Sequence, residues 1–453
     1  MGKITLAQAA AWCGGRVEEK YKDIAFFGAN IDSREIQPGQ LFIALVGERD
    51  GHDYIPMAKE KGAAAVLCSK QYGDYPAIIV DDPRLALGDI ARAERRRIGM
   101  QVVGVTGSVG KSTTKEMIAE VLASTYRVEK TPVNHNNDLG MPMAILAMPS
   151  DTQVAVLEMG MNHFREIAYL ASIAQPNVAV IINIGTMHIE HLGSKEGILR
   201  AKMEILEGMR ENGTVILNGD DPLLWSQRGL THMKLSYFGE ENPLCTVRCE
   251  DLREEDQYMT FRVSAGDNSF PLEMNLEGRH YVSDALAAVS VGLAMGVEPA
   301  KIQERLSQFR NMAGRQEIFE KNGYTIIKDC YNAGPESMAA ALEVLGKKEG
   351  RHVAVLGDML ELGACTQAEH YRVGRIAAEK ADILLAYGPN GKRVLSGAMT
   401  GGMLDTKAMA FEDREKLVAA LKRMAKPGDV LLFKGSRGMR MELILEGFLQ
   451  DQT

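Results

Sequence analysis

Apolar positions along the chain come in short runs, each followed by turn residues and then by a longer stretch of helical period. In the first part, LFIAL (41–45), AAVL (64–67) and AIIV (77–80) predict strands. The charged stretch ending ARAERRRIG predicts a helix with a solvated basic end, closing this part near 98–101. Beyond it, apolar runs at 102–105, 154–157, 178–182 and 214–217 alternate with helical stretches, the pattern of a parallel sheet with crossover helices. Residues 233–277 differ. There YMTFRVS (258–264) and FPLEMNL (270–276) alternate apolar with polar, as half-buried antiparallel strands do. A helix is predicted over 280–295. From about 313 the alternation restarts, with strands at TIIKD (325–329), VAVLG (353–357), ILLAYG (383–388) and DVLLFKG (429–435). The expected fold class is therefore α/β in three domains. Residues 1–98 form a small α/β domain, 99–312 a central domain with a mostly parallel sheet plus a small antiparallel layer, and 313–453 a doubly wound, Rossmann-like domain. Clefts between such domains are common ligand sites.

Composition narrows the class. Lys plus Arg number 52 against 60 Asp plus Glu, a net charge of −8 over 453 residues, which argues against a nucleic-acid or anionic-membrane partner. No apolar run approaches the roughly 18 residues that span a bilayer. The first residues, MGKITLAQAAAWCGG, lack the apolar core of a signal peptide. Leu6 stands where a myristoylation signal wants Ser or Thr. Six scattered cysteines without a C-x-x-C pair read as reduced thiols, hence a cytoplasmic setting.

The chemistry starts at GVTGSVGKSTTKE (104–116). Strand, glycine-rich turn, Lys, hydroxyl and helix is the order that cradles phosphates, although Val105 stands where the general pattern G-x-x-x-x-G-K-[ST] puts its first Gly. Lys111 would neutralise phosphate charge and Ser112 would reach Mg2+. Glu158 follows the strand VAVL, where parallel strands point into a ligand crevice. His188 lies just past another such strand end, and His191 reads as surface. Lys202 falls on the apolar face of SKEGILRAKMEILEGM, with Ser194 as its N-cap. A lysine there either snorkels outward or has a shifted pKa and a task. Arg315, Asp329 and Asn332 open the last domain near an expected interdomain cleft. Lys434, Ser436, Arg437 and Arg440 make a cationic turn suited to carboxylate or phosphate.

In chain order these pieces resemble the Mur ligases of peptidoglycan synthesis. The loop TGSVGKST (106–113) matches that family's short form T-G-x-x-G-K-[ST]-[ST]. DSREIQPGQLFIALVGERDGHDYIPMAKEKGA is similar to its UDP-sugar-binding domain. NHNNDLGMP, EMGMNH, NIGTMHIEHLGSKEGILRAKMEI, GRQEIFEKNG, DCYNAGPESM, VLGDMLELG and KGSRGMRME resemble successive family blocks. The last three point to the branch that joins D-alanyl-D-alanine (D-Ala-D-Ala) to UDP-N-acetylmuramoyl-tripeptide (UDP-MurNAc-tripeptide) with ATP. The resemblance implies that Thr106, Gly107, Ser108, Gly110, Lys111, Ser112 and Thr113 hold ATP phosphates. It makes Ser112, Glu158, His188 and Lys202 ligands of Mg2+, two ions in all, with a carbamate on Lys202. It puts Arg315, Asp329 and Asn332 against the nucleotide, with Lys111, Lys202, His188 and Arg315 as the catalytic set. Ser33, Arg34, Asp50, Gly51 and His52 would bind the uridine nucleotide. Asn134, Asn137, Lys434, Ser436 and Arg437 would line the path of the peptide and dipeptide. A monomer is expected. Tyr281 and Asp284 depart from the family's H-N-x-x-N block, so its adenine contacts do not carry over; Val109, Cys330 and Gly334 are milder departures. Two rivals are a related amino-acid ligase, such as a folate polyglutamylating enzyme, and a non-catalytic phosphate-loop module.

Overall fold

The computed structural model describes residues 2–230, 233–255 and 258–450, so Met1 and Thr453, the outer limits of the first and third expected domains, lie outside it. Four short strands, β1 (Ala29–Asn30), β2 (Leu41–Ile43), β3 (Ala65–Cys68) and β4 (Ala77–Ile79), form a parallel sheet in that order. Helix α1 (Pro83–Ile98) follows. Asp82 caps its start by accepting from the backbone N–H of Arg84 and Leu85, and Gly99, at φ 75°, ends it. Its basic end is not wholly solvated, contrary to the sequence expectation. Arg95 is buried, donating to the carbonyls of Ala174 at 2.8 Å and Gln175 at 3.1 Å. Those carbonyls end helix α3 (Glu166–Ala174), and a helix C-terminus leaves such acceptors unpaired unless a donor reaches them.

The central sheet has nine strands in the order β13-β12-β11-β10-β9-β8-β5-β7-β6. They are β5 (Gln101–Thr106), β6 (Val128–Lys130), β7 (Val154–Glu158), β8 (Val178–Ile181), β9 (Thr214–Asn218), β10 (Lys234–Gly239), β11 (Val247–Glu254), β12 (Met259–Ala265) and β13 (Asn268–Met274). The pairs from β6 to β11 are parallel, and β11, β12 and β13 are antiparallel. The antiparallel strands thus continue one edge of the parallel sheet. Helices cover both faces, so alternate residues feed two cores. Val102, Ala155, Leu157 and Ile181 meet α1 and α3; Val103, Val105, Val156 and Val180 meet α2 (Lys111–Ala123) and α5 (His280–Ala294). Between β8 and β9 lies α4 (Lys195–Met203), which Ser194 caps.

A third sheet runs β14-β15-β19-β16-β17-β18, all parallel except β14 against β15. Its strands are β14 (Glu317–Lys321), β15 (Tyr324–Asp329), β16 (Arg351–Gly357), β17 (Ile383–Tyr387), β18 (Ala408–Phe411) and β19 (Asp429–Lys434), with α6 (Pro335–Gly346) after β15. β14 and β18 were not anticipated. The β14–β15 hairpin turns on Asn322 and Gly323, both at positive φ, the conformation a tight two-residue hairpin needs. Among the described residues no helix is long and apolar enough to cross a membrane.

Candidate active site

The carboxyl ends of β5, β7 and β8 open into a cavity of about 900 Å³ lined by residues from all three sheets' surroundings. β5 ends in the glycine-rich loop, and Gly110 starts α2 at φ 88°. A Cβ there would come within 2.6 Å of the Asp284 carboxyl on α5, so the position demands glycine twice over. Asn183, just past β8, clamps the loop: its carbonyl oxygen Oδ1 accepts from the N–H of Ser108 at 3.0 Å and Val109 at 2.9 Å, and its Nδ2 donates to the Val109 carbonyl at 2.9 Å. Lys111 curls over the loop, donating to the carbonyls of Gly107 at 2.9 Å and Ser108 at 3.3 Å. The result is a helix N-terminus with free N–H groups and an ammonium beside it, an anion site by construction.

Glu158, at the end of β7, is buried. It accepts from the Ser112 hydroxyl at 2.7 Å and from Asn136 Nδ2 at 2.9 Å. Burial pushes its carboxyl up, but Lys111 and these hydrogen bonds outweigh burial and hold it below the ordinary carboxylate value. Behind it, fully buried Lys115 donates to the Thr131 carbonyl at 2.6 Å, while the Thr131 hydroxyl accepts from the Glu158 N–H at 3.0 Å. Arg315, from the entrance to the third sheet, donates to Ser112 Oγ at 2.9 Å and lies 4.0 Å over the Tyr331 ring.

His188 reaches the cavity from the loop after β8, where burial first and Lys111 second depress its imidazole to about 4; it is neutral at neutral pH. Lys202 on α4 is 2% exposed and has no hydrogen-bond or ion-pair partner among the described residues. Burial, then the nearby Lys111 charge, drives its amine well below the ordinary lysine value. It therefore does not snorkel. Burial likewise lowers Lys111, with Glu158 opposing and Arg315 reinforcing. Asp284 accepts from Thr114 Oγ1 at 2.6 Å, and burial raises its carboxyl to about 7. Lys434 pairs with Asp329 at 2.5 Å and donates to the Asn332 carbonyl at 3.1 Å.

Of the residues singled out in the sequence, Ser108, Gly110, Lys111, Ser112, Thr113, Asn137, Glu158, His188, Arg315, Asp329, Asn332 and Lys434 line the cavity. Thr106, Gly107 and Lys202 are buried and do not line it; Asn134 accepts from the hydroxyl of Tyr331, which does. Ser436 is buried, accepting from the Leu360 N–H at 2.9 Å, and Arg437 points to Glu442 at 3.2 Å. The N-terminal set does not line this cavity. Asp50 binds His52 and Lys70, Arg34 binds Asp32, and the Ser33 hydroxyl contacts Met57 sulfur. Sequence reasoning missed Asn136, Asn183, Tyr331, Glu336 and Glu361. Only Asn183 carried a signal, as the first polar residue after an apolar strand.

Compared with known proteins, residues 26–95 match the description Mur ligase family, catalytic domain; 105–292 match Mur ligase middle domain; and 314–437 match Mur ligase, glutamate ligase domain. A relative from Bacillus subtilis, named UDP-N-acetylmuramoyl-tripeptide–D-alanyl-D-alanine ligase, is 38% identical over 97% of this chain and 96% of its own. A crystal structure of MurF from Acinetobacter baumannii superposes with TM-score 0.92 at 31% identity, covering 100% of both chains. MurF ligase from Thermotoga maritima, in complex with ADP, superposes with TM-score 0.84 at 30% identity over 94% of this chain and 98% of that one.

Proposed function

The chain belongs to the Mur ligase family, and we propose that it joins D-alanyl-D-alanine to UDP-N-acetylmuramoyl-tripeptide, converting ATP to ADP and phosphate. The observation that carries this reading is the meeting of Lys111 and Ser112 with Arg315 across one cavity, with Ser112 and Arg315 2.9 Å apart. A carboxylate is a poor electrophile. Its oxygen attacks the γ-phosphorus, ADP leaves, and the mixed anhydride is then opened by the dipeptide amine. The new C–N bond forms as the C–O bond to phosphate breaks, and the amine proton is released.

The chain's part is alignment and charge neutralisation. The loop N–H groups and Lys111 hold the β- and γ-phosphates. Arg315 brings a guanidinium to the same oxygens from the opposite wall, its plane fixed by Tyr331. Lys434, steadied by Asp329, faces the incoming dipeptide. Asn137 lines the peptide side, and Ser33, Arg34 and the Asp50–His52 turn serve the uridine nucleotide. In this reading the chain works as a monomer in the cytoplasm.

Ser112, Glu158 and His188 are the residues that would hold Mg2+, which when bound neutralises phosphate charge. Mg2+ binds through one or two carboxylates, waters and substrate phosphates, which leaves room for a further anionic ligand. Lys202 suits that role. A buried, unpaired amine, which burial pushes toward its neutral form, adds CO2 and releases one N–H proton to give an anionic carbamate. The test is phosphate release from ATP. It is expected only when UDP-MurNAc-tripeptide and D-Ala-D-Ala are present together; release without either, or none with both, overturns the assignment.

A further inference from the structure

Two non-glycine residues with left-handed backbone face each other between the central and third sheets. His188 has φ 63° and Glu361, in the loop after β16, has φ 62°. Such a conformation persists off glycine only where its surroundings hold it. Glu361 Oε2 lies 2.5 Å from His188 Nδ1. That nitrogen is buried and makes no aligned hydrogen bond with any described residue. The two atoms are within hydrogen-bond distance, and a small ring rotation aligns the Nδ1–H with the carboxylate. The third sheet's surroundings grip the same segment twice more. Glu336, at the start of α6, accepts from the Thr186 N–H and hydroxyl, each at 3.1 Å. Gly363 packs on Glu190 so closely that a Cβ would lie 2.9 Å from the Glu190 Cβ.

We infer that Glu361 is a positioning residue that accepts the Nδ1 proton of His188 when the third sheet's domain docks, and so presents the Nε2 lone pair to the phosphate site. A neutral imidazole has one N–H and one lone pair. An acceptor at Nδ1 fixes which nitrogen carries the proton, and carboxylates behind metal-binding histidines do this elsewhere. Lys111 and Lys202 are the titratable groups facing His188 from the central domain, and Glu361 is the one that faces it from the third. The central domain alone leaves Nδ1 without this acceptor, so the ligand is aligned only after docking. The Glu336–Thr186 bonds set the register in which Glu361 arrives.

The inference rests on His188 as a metal ligand, and the experiment separates the two. Mn2+ binding to the full-length protein saturated with ADP is followed by electron paramagnetic resonance of the free ion, with no turnover. Glu361→Ala is expected to weaken Mn2+ binding by about 10-fold or more. Glu361→Gln, whose amide oxygen still accepts from Nδ1–H, is expected to stay within about 3-fold of wild type, and both should keep the wild-type melting temperature. Wild-type Mn2+ affinity in Glu361→Ala, with binding lost in His188→Ala, overturns the positioning role alone. Wild-type affinity in His188→Ala overturns the metal reading and the inference with it.

Discussion

Replacing Asp284 by Asn should stabilise the protein, by an amount that grows with pH. The carboxyl is 4% exposed and its Oδ1 accepts from Thr114 Oγ1 at 2.6 Å. Burial raises its pKa from 3.8 to about 7, with Thr114 and Arg315 opposing. Each pKa unit is worth about 1.4 kcal/mol, so ionised Asp284 costs about 4 kcal/mol relative to its protonated form. The folded state keeps a proton that the unfolded chain releases. The stability this contributes is fully present below about pH 4 and is lost as the pH rises through about 7. Asn keeps the acceptor for Thr114 and supplies an N–H in place of the acid O–H, without titrating. The gain from Asp284→Asn should therefore be about 2 kcal/mol larger at pH 8 than at pH 5.5, by the same linkage. Denaturant unfolding of both proteins at the two pH values, followed by far-UV circular dichroism, reads this directly. A gain independent of pH, or a variant less stable than wild type at pH 8, would refute the reasoning.

The other predictions concern turnover. Lys111→Ala should lower phosphate release by about 10³-fold or more, because it removes a charge preorganised at the γ-phosphate; near-normal activity contradicts the ATP site. Lys202→Ala should be inactive but partly restored by a short carboxylic acid that supplies the missing anion, and full activity without additive rules out a carbamate. Gly110→Ala forces a side chain into a backbone at φ 88° and to within 2.6 Å of Asp284, so the ATP KM should rise at least about 10-fold with a stability loss of about 1–3 kcal/mol. An unchanged ATP KM in that variant would show that the loop tolerates the shift.

Period and turn chemistry made the strands on either side of the phosphate loop legible, because β5, β7 and β8 are buried on both faces and read as unbroken apolar runs. In EIFEKNGYTIIKD only the second strand is legible as an apolar run; the Asn-Gly pair announces the hairpin, but β14 is a half-exposed edge strand without such a run. Loop residues at strand ends were legible where strand and residue are adjacent, as with Glu158. Glu336 and Glu361 were not, because they act across a domain boundary about 150 and 170 residues from the segment they grip, and no local period encodes that meeting. Arg95 failed for a related reason: its acceptors are carbonyls of another helix, which composition cannot show.

The groups around the loop also explain why the site takes a polyanion. Lys111 and Arg315 bring two cationic side chains to the phosphate loop, and Lys434 on the same cavity wall is already paired with Asp329. Facing them, Glu158 holds a buried carboxylate and Asp284 one that prefers its proton below about 7. Lys111 makes do with two loop carbonyls and Arg315 with a hydroxyl, which are neutral partners for charged donors. A core would shed such groups, since an uncompensated buried charge is more costly than any packing it provides. They persist in a chain of net charge −8, so the attraction is built into the cavity and not spread over the surface. A ligand carrying several negative charges supplies the missing partners, and by mass action it adds about 2.7 kcal/mol of stability at 100 times its Kd. A neutral ligand of the same size would leave the cations as they are, and so would gain little from this cavity.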